Sequence, residues 1–221
     1  MKKKHLIVLS VVIALVCISF GARSFILSRQ KNQPSPLAGL SPTELMNRSI
    51  ASKREAATKN PKDATGYSDL GIFYLDHNKV GEAEEAFKSA LSIDPKHGPS
   101  LENLGFVYYR KKDYANALTY LNRALVVIPE SPTLHNTLGA VYREKKMYKE
   151  ALEAHRKAAS LQKEAPDAYF NIALIYQEMK SPEEAAAWEK YLSVASGIAS
   201  EAKFVEIARQ NLKRIGKTPH R

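Results

Sequence analysis

The sequence predicts an all-α protein, a right-handed helix-turn-helix solenoid in which one unit of 34 residues occurs about four times. The main observation is a dipeptide that recurs at this interval: Leu70-Gly71, Leu104-Gly105, Leu138-Gly139 and Ile172-Ala173. A tyrosine follows three residues after each small residue: Tyr74, Tyr108, Tyr142 and Tyr176. A period of this length is typical of arrays in which each helix pair buries its apolar face only against its neighbours.

Further positions keep the same period and identify the repeat. Nine residues after each tyrosine stands an alanine: Ala83, Ala117, Ala151 and Ala185. The first unit carries the recurring residues Tyr67, Leu70, Gly71, Tyr74, Ala83, Phe87, Ala90 and Pro95. With this pattern the chain resembles the tetratricopeptide repeat family from Ala64 to about Ala199. The resemblance implies four units, whose first helices line a concave protein-binding groove.

Two positions of each unit are expected to set the distance between its helices. The small residue, such as Gly71, lets the first helix approach the second, and we expect Ala83 to meet it across the gap. A large residue such as Phe87 then fills the remaining volume. The third unit departs from the pattern, with His135 and His155 in place of aromatic residues. The fourth fits only after one deletion in its second helix.

Local signals predict one helix before the repeats and another after them. Ser41-Pro42-Thr43-Glu44 and Ser181-Pro182-Glu183-Glu184 each offer a cap oxygen, a proline and a glutamate that reaches back to the cap amide. An amphipathic helix is expected from Thr43 to Lys59, with three inward residues: Leu45, Ile50 and Ala57. A closing helix is expected from Glu201 to Ile215, with four inward residues: Phe204, Ile207, Ala208 and Leu212.

The chain begins with a basic stretch that is followed by an apolar one. Residues 1–5 contain three lysines, and residues 6–22 are seventeen residues without a charge. At about 1.5 Å per residue this run spans about 25 Å, close to the ~30 Å hydrocarbon core of a bilayer. The sequence therefore predicts a transmembrane signal anchor. A cleaved signal peptide is the alternative, because Ser19 and Gly21 are small residues at the positions that a signal peptidase needs.

The anchor predicts a single-pass protein of the cell inner or plasma membrane. Arg23, Arg29 and Lys31 balance the lysines before the segment, so positive charge does not decide its orientation. The short basic leader favours an extracytoplasmic (periplasmic) position for the repeats. The predicted organisation is a basic N-terminus (1–5), a transmembrane signal anchor (6–22), a linker (23–41), an N-terminal helix (42–63), tetratricopeptide units (64–97, 98–131, 132–165 and 166–199) and a C-terminal capping helix (200–216).

Charge argues against nucleic acid as a partner. The net charge of +10 is concentrated at the ends, since residues 1–40 carry six positive charges and no negative ones. Residues 64–199 hold sixteen positive and eighteen negative charges, so the array itself is nearly neutral. Anionic lipid headgroups are the simplest partner for the basic ends.

The sequence contains none of the common motifs of catalytic or cofactor-binding sites. It contains no glycine-rich phosphate loop, no pair of cysteines and no Ser/His/Asp signature, and its single cysteine, Cys17, lies in the apolar run. His135 and His155 are expected to meet between the helices of the third unit as hydrogen-bonded fillers, because a metal site would need a third ligand. We therefore expect no enzyme, no cofactor and no metal.

The family resemblance implies which side chains face the groove: Ile72, Leu75, Glu102, Phe106, Tyr109, Arg110, Phe170, Leu174 and Gln177. The apolar members are expected to form one strip, which suits a hydrophobic peptide or an amphipathic helix. The alternative is that several of them pack against neighbouring first helices. Family members that clamp the terminal carboxylate of chaperone peptides use a lysine and an asparagine where this chain has Ser68 and Ile72, so that use is not expected.

The resulting functional prediction is a membrane-tethered scaffold that binds a peptide or helix of an envelope protein and assists assembly or maturation of a membrane or secreted complex. Its partners are a protein or peptide client and the membrane, the latter through residues 6–22. One alternative is a structural array that assembles into a homo-oligomer. The other is a soluble, secreted repeat protein that remains after cleavage of the signal peptide.

Overall fold

The computed structural model describes residues 40–162 and 164–217, and all regular secondary structure in these ranges is helical. The helices are α1 (Pro42–Lys59), α2 (Ala64–Asp76), α3 (Val80–Ile93), α4 (Gly98–Arg110), α5 (Tyr114–Val127), α6 (Pro132–Glu144), α7 (Tyr148–Leu161), α8 (Pro166–Glu178), α9 (Glu184–Ala195) and α10 (Ala202–Arg214). A short 3-10 helix, Ala199–Glu201, precedes α10. The predicted membrane segment, residues 6–22, lies outside the described residues. Within those residues, every helix is too short or too polar to cross a bilayer.

The chain divides into two units, residues 1–49 and residues 50–221. The described part of the first unit is the beginning of α1. In the second unit each first helix packs against the second helix of its own repeat, and each second helix packs against the first helix of the next. The protein is therefore an all-α solenoid of tetratricopeptide type over residues 50–217.

A common turn joins the two helices of every repeat. In each turn one residue other than glycine has a positive φ between 52° and 60°: Asn78, Lys112, Lys146 and Lys180. In the first repeat the amide of Lys79 donates to the carbonyl of Tyr74 (2.8 Å), and the amide of Asn78 donates to the carbonyl of Leu75 (3.0 Å). This left-handed ending satisfies the last carbonyls of the first helix and reverses the chain. The four repeats therefore share the same turn between their first and second helices.

The two helices of a repeat are closest at the glycine of the first helix. A Cβ atom added to Gly71 would lie 2.6 Å from the Phe87 ring, and one added to Gly105 would lie 2.6 Å from Leu121. The same distance separates an added Cβ at Gly139 from His155. The contact expected between the repeat alanine and the glycine stays a prediction, because the three atoms nearest to each added Cβ all belong to the large residue. The large side chain lies on the glycine, because a ring or a branched side chain fills the space that the missing Cβ leaves.

Replacement of Gly105 with alanine is expected to lower the free energy of unfolding by about 1–3 kcal/mol, because the added methyl group overlaps Leu121. Gly81 in α3 is the matched control, since a Cβ there meets no atom within 4 Å. Gly81→Ala is expected to raise stability by up to about 0.5–1 kcal/mol. Urea denaturation followed by circular dichroism measures both, and equal effects of the two substitutions would contradict the close packing.

The fully buried apolar residues fall into separate clusters at the third repeat, and the half-buried Tyr142 packs against both of the larger ones. One cluster extends from α2 to α6 and includes Phe87 and Leu121, the residues that cover the first two glycines. A second cluster begins with Ala151 in α7 and extends to α10. Between them lies His155, which is fully buried at the position of Phe87 and Leu121. A polar side chain therefore occupies the centre of the third helix pair.

The fourth repeat differs in its second helix, which has 12 residues where the first three have 14. The helix starts at Glu184, and not at Pro182 as the capping pattern predicts. Ser181 donates to the Glu183 carboxylate, whereas Glu184 is buried and forms a salt bridge with Arg214 of α10. Since Glu184 is the buried residue and Ala185 is only half-buried, the expected position of the repeat alanine is off by one. With one residue fewer than the repeat pattern, Glu184 occupies the buried position that the pattern assigns to alanine.

The terminal helices agree in part with the predicted inward faces. The cap of α1 is confirmed, because the Ser41 amide donates to the Glu44 carboxylate (2.8 Å) and the Glu44 amide donates to the Ser41 hydroxyl (3.3 Å). Ala57 is buried, but Leu45 is exposed. In α10 the buried residues are Val205, Ala208 and Leu212, whereas Phe204 is 41% exposed. The buried residues of α10 form one narrow stripe, and Phe204 lies outside it.

Candidate protein-binding groove

The first helices of the repeats form a groove that contains two adjoining depressions. The first has a volume of about 390 Å³ and is lined by Ile72, Leu75, Asp76, Glu102, Asn103, Phe106, Arg110, Thr133 and Thr137. The second has a volume of about 250 Å³ and is lined by Phe106, Tyr109, Thr133, Asn136, Thr137, Ala140, Gln162 and Asp167. All of these residues except Gln162 belong to α2, α4, α6 or α8. Open depressions of this size suit side chains of a peptide.

The structure brings six of the nine predicted site residues to these depressions: Ile72, Leu75, Glu102, Phe106, Tyr109 and Arg110. Phe106 lines both, and its ring centroid is 6.3 Å from that of Tyr109. Ile72 is 38% exposed, whereas Leu75 and Tyr109 are partly packed against the core. The groove therefore has an apolar floor in which Phe106 is the central residue.

The other three predicted site residues, Phe170, Leu174 and Gln177, lie on α8 and line neither depression. The Phe170 ring contacts Trp188, Tyr191 and Phe204 edge-on, with centroids 5.2–5.4 Å apart. Leu174 packs against the same core cluster. Phe170 thus contacts side chains of α9 and α10 and remains half-buried, and its place in the predicted strip stays a prediction.

Gln177 is half-buried, and its Oε1 atom has no hydrogen-bond partner among the described residues. A buried amide oxygen without a donor is uncommon in native proteins. The structure provides no partner for it within residues 40–162 and 164–217.

Several polar residues of the groove were missed at the level of the sequence. Asp69, Asn103 and Thr137 occupy equivalent positions in three successive repeats, one residue after a position that the family places in the groove. Asn103 and Thr137 line the first depression, and Asp69 lines a smaller hollow beside Ile72. Short polar residues at one offset in three units are the signal that identifies them. Asn103 is half-buried and adds a polar side chain to the lining of the first depression, whereas Thr137 is buried there.

Carboxylates dominate the charge of the groove. Glu102 is half-buried and accepts a hydrogen bond from the Ser131 hydroxyl (2.9 Å). Burial raises the pKa of Glu102, and this hydrogen bond opposes the shift. Arg110 lies in the same depression, but its guanidinium donates to the side chain of Asn78 (2.6 Å).

The two histidines of the third repeat have separate hydrogen-bond partners. The Nε2 atom of His135 lies 2.7 Å from the carbonyl oxygen of Pro129, whereas Nδ1 of His155 lies 3.0 Å from Oδ1 of Asn136. Burial and the nearby Arg143 lower the pKa of His155 to about 4. Within the described ranges no group of three or more histidine, cysteine, aspartate or glutamate side chains has the arrangement of a metal site.

Comparison with protein families identifies the repeats. The family described as the Cilia and flagella-associated protein 70 middle TPR-like domain matches residues 47–162, which is more than half of the 221-residue chain. The tetratricopeptide repeat family matches residues 166–188. No curated protein matches the sequence as a relative.

Solved structures share the fold. MamA from residue 41 to its end, from Desulfovibrio magneticus RS-1, is 19% identical with a TM-score of 0.62, and the match covers 70% of this chain and 88% of that chain. Another crystal structure of MamA is 23% identical with a TM-score of 0.59, covering 73% and 91%. A chain of the APC/C hetero-tetramer Cut9-Hcn1 is 21% identical with a TM-score of 0.65, covering 74% of this chain and 33% of that chain. At these identities the similarity concerns the fold alone.

Proposed function

The chain belongs to the tetratricopeptide repeat family, and we propose that it is a membrane-tethered scaffold that holds a peptide or a helix of another envelope protein in its groove. The observation that carries this proposal is the pair of adjoining depressions on the first helices, with Phe106 on the floor of both. An apolar groove with polar side chains in its lining fits an extended or helical segment that presents apolar side chains at regular spacing. The protein acts by binding, and not as an enzyme.

The tether is the apolar segment of residues 6–22, which retains the repeats at the inner or plasma membrane on its extracytoplasmic side. The basic C-terminal helix supports a position close to anionic lipid. Lys203, Arg209 and Lys213 of α10 are exposed, and the apolar side of this helix is occupied by the core. Positive side chains near a membrane surface gain about 1 kcal/mol each from anionic headgroups.

A photo-crosslinking residue placed at Asn103 of the full-length chain is expected to give one specific adduct with a client in the membrane fraction. Asn103 lines the first depression beside Phe106, so a bound segment passes within reach of it. The adduct is detected by gel electrophoresis of the membrane fraction and identified by mass spectrometry. Its yield is expected to fall when Phe106 is also changed to serine.

The matched control places the same crosslinker at Glu85, an exposed residue of α3 outside both depressions. Equal adducts at Glu85 and Asn103 would place the client elsewhere on the surface. The intact mass of the membrane-extracted protein tests the tether separately, because a cleaved chain would lack about its first 21 residues.

A further inference from the structure

The lining of the two depressions carries more negative than positive charge. Its charged residues are three carboxylates, Asp76, Glu102 and Asp167, and one cation, Arg110. The three carboxylates form no salt bridge within residues 40–162 and 164–217. The groove therefore has negative charge that no salt bridge within the described residues neutralises.

One cation lies among these carboxylates, and it is already engaged. The guanidinium of Arg110 donates to Oδ1 of Asn78 at 2.6 Å, and its distance to both carboxylates of the first depression exceeds the 4.0 Å of a salt bridge. Asp76 and Glu102 thus give this depression two negative charges against one positive charge. In the second depression Asp167 has no opposite charge among the lining residues. A positively charged group of a ligand would balance the negative charge in either depression.

Glu102 is placed to receive such a charge. A carboxylate has about four acceptor positions, and the hydrogen bond from Ser131 uses one of them. Glu102 is half-buried next to the apolar floor at Phe106, where the screening of charge by water is reduced. A charge-assisted hydrogen bond at such a site is stronger than one at the open surface.

We propose that the segment held in the groove is cationic as well as apolar: a lysine or arginine of the partner protein binds Glu102 and Asp76, and an adjacent apolar side chain contacts Phe106 and Ile72. This inference rests on the proposed function and specifies the partner of the same site. An acidic segment is disfavoured, because its carboxylates would approach those of the groove. The occupant is therefore a basic, amphipathic segment of another protein.

The test uses the purified full-length chain and three fluorescent peptides of twelve residues that share their leucine and phenylalanine positions. The peptides differ only in having lysine, glutamine or glutamate at the remaining positions, and fluorescence anisotropy measures their affinities at low salt. The lysine peptide is expected to bind at least about 10-fold more tightly than the glutamine peptide, which is the worth of one hydrogen bond to a charged group. The glutamate peptide is expected to bind more weakly than both.

Glu102→Gln keeps an oxygen for the Ser131 hydroxyl and removes the charge, and it is expected to remove most of the preference for lysine. Glu85→Gln is the matched control, because it removes the same charge from an exposed site on α3 outside the depressions. This variant is expected to retain the full preference.

The outcomes separate this inference from the proposed function. Equal binding of the lysine and glutamine peptides, both lost in Phe106→Ser, would overturn the cationic partner and leave the groove as the binding site. Binding that survives Phe106→Ser, or no binding of the lysine peptide, would overturn both. A peptide of residues 28–40 that competes more strongly than the lysine peptide would assign the groove to the chain's own linker and would also overturn the proposal.

Discussion

Replacement of Phe106 with serine is expected to abolish capture of the client and to leave the thermal unfolding midpoint nearly unchanged. Phe106 lines both depressions and is only half-buried, so its ring is available to a ligand. An aromatic anchor at the centre of an interface typically contributes about 2 kcal/mol or more, which corresponds to a loss of affinity of at least about 30-fold. Crosslinking yield and thermal denaturation of the same preparation measure the two effects.

Phe170 is the matched control, because the sequence places it in the same strip, whereas in the structure it lines neither depression. Its ring packs edge-on against Trp188, Tyr191 and Phe204. Phe170→Ser is therefore expected to lower the free energy of unfolding by about 1–3 kcal/mol, less than for a fully buried phenylalanine, because its ring is half-buried. If Phe106→Ser unfolds the protein, or if Phe170→Ser loses the client without loss of stability, the assignment of groove and core is wrong.

Acidification from pH 7 to pH 5 is expected to lower the free energy of unfolding by about 2 kcal/mol through His155 alone. The pKa of His155 is about 4 in the folded chain against 6.5 for the free side chain, so the unfolded chain binds the proton first. Stability is therefore complete above pH 6.5, falls as the pH decreases from 6.5 to 4, and is constant below that for this group. Urea denaturation at a series of pH values measures the slope.

The structural cause is the environment of Nε2. The contact between Nδ1 of His155 and Oδ1 of Asn136 requires the proton on Nδ1, and Nε2 is then the basic nitrogen. Nε2 is buried and has no hydrogen-bond partner in the described ranges, so a proton added there creates a buried charge next to Gly139. Arg143 opposes the same charge.

His155→Leu provides the control for this pH dependence, because leucine is the native residue at the equivalent position over Gly105. The variant is expected to have almost no slope between pH 6.5 and 5.5, above the range in which carboxylates of the unfolded chain bind protons. Glu84, whose pKa is lowered to about 2, adds its own loss of stability only below this window. Parallel curves for the wild-type protein and His155→Leu would show that the titration of His155 is not the cause.

Most of the helix order was predictable because it depends on local chemistry and on a strict period. The capping residues Ser41 and Glu44 stand at fixed spacing in the chain, and their hydrogen bonds form as predicted. The second predicted cap did not form at Glu184, since this buried carboxylate forms a salt bridge with the exposed Arg214 instead. Arg214 is 30 residues away in the chain, and no local pattern connects the two residues.

The candidate groove was predictable in part for the same reason. The family pattern identifies which residues of a first helix face inward, and six of the nine predicted side chains line the two depressions. The pattern treats each repeat as equivalent, however. Its assignment of Phe170 to the groove stays a prediction, because this half-buried residue also packs in the aromatic cluster formed with α9 and α10.

The sequence by itself determined the repeat and its period of 34 residues, the helix pairs and the absence of a catalytic signature, because each of these depends on residue types at fixed spacing along the chain. The tertiary structure decided which side chain covers each glycine and which groove carboxylates are left without a salt bridge. It also decided that His155 and His135 have separate partners. These properties depend on contacts between residues that are distant in the chain, and such contacts exist only after the helices have packed.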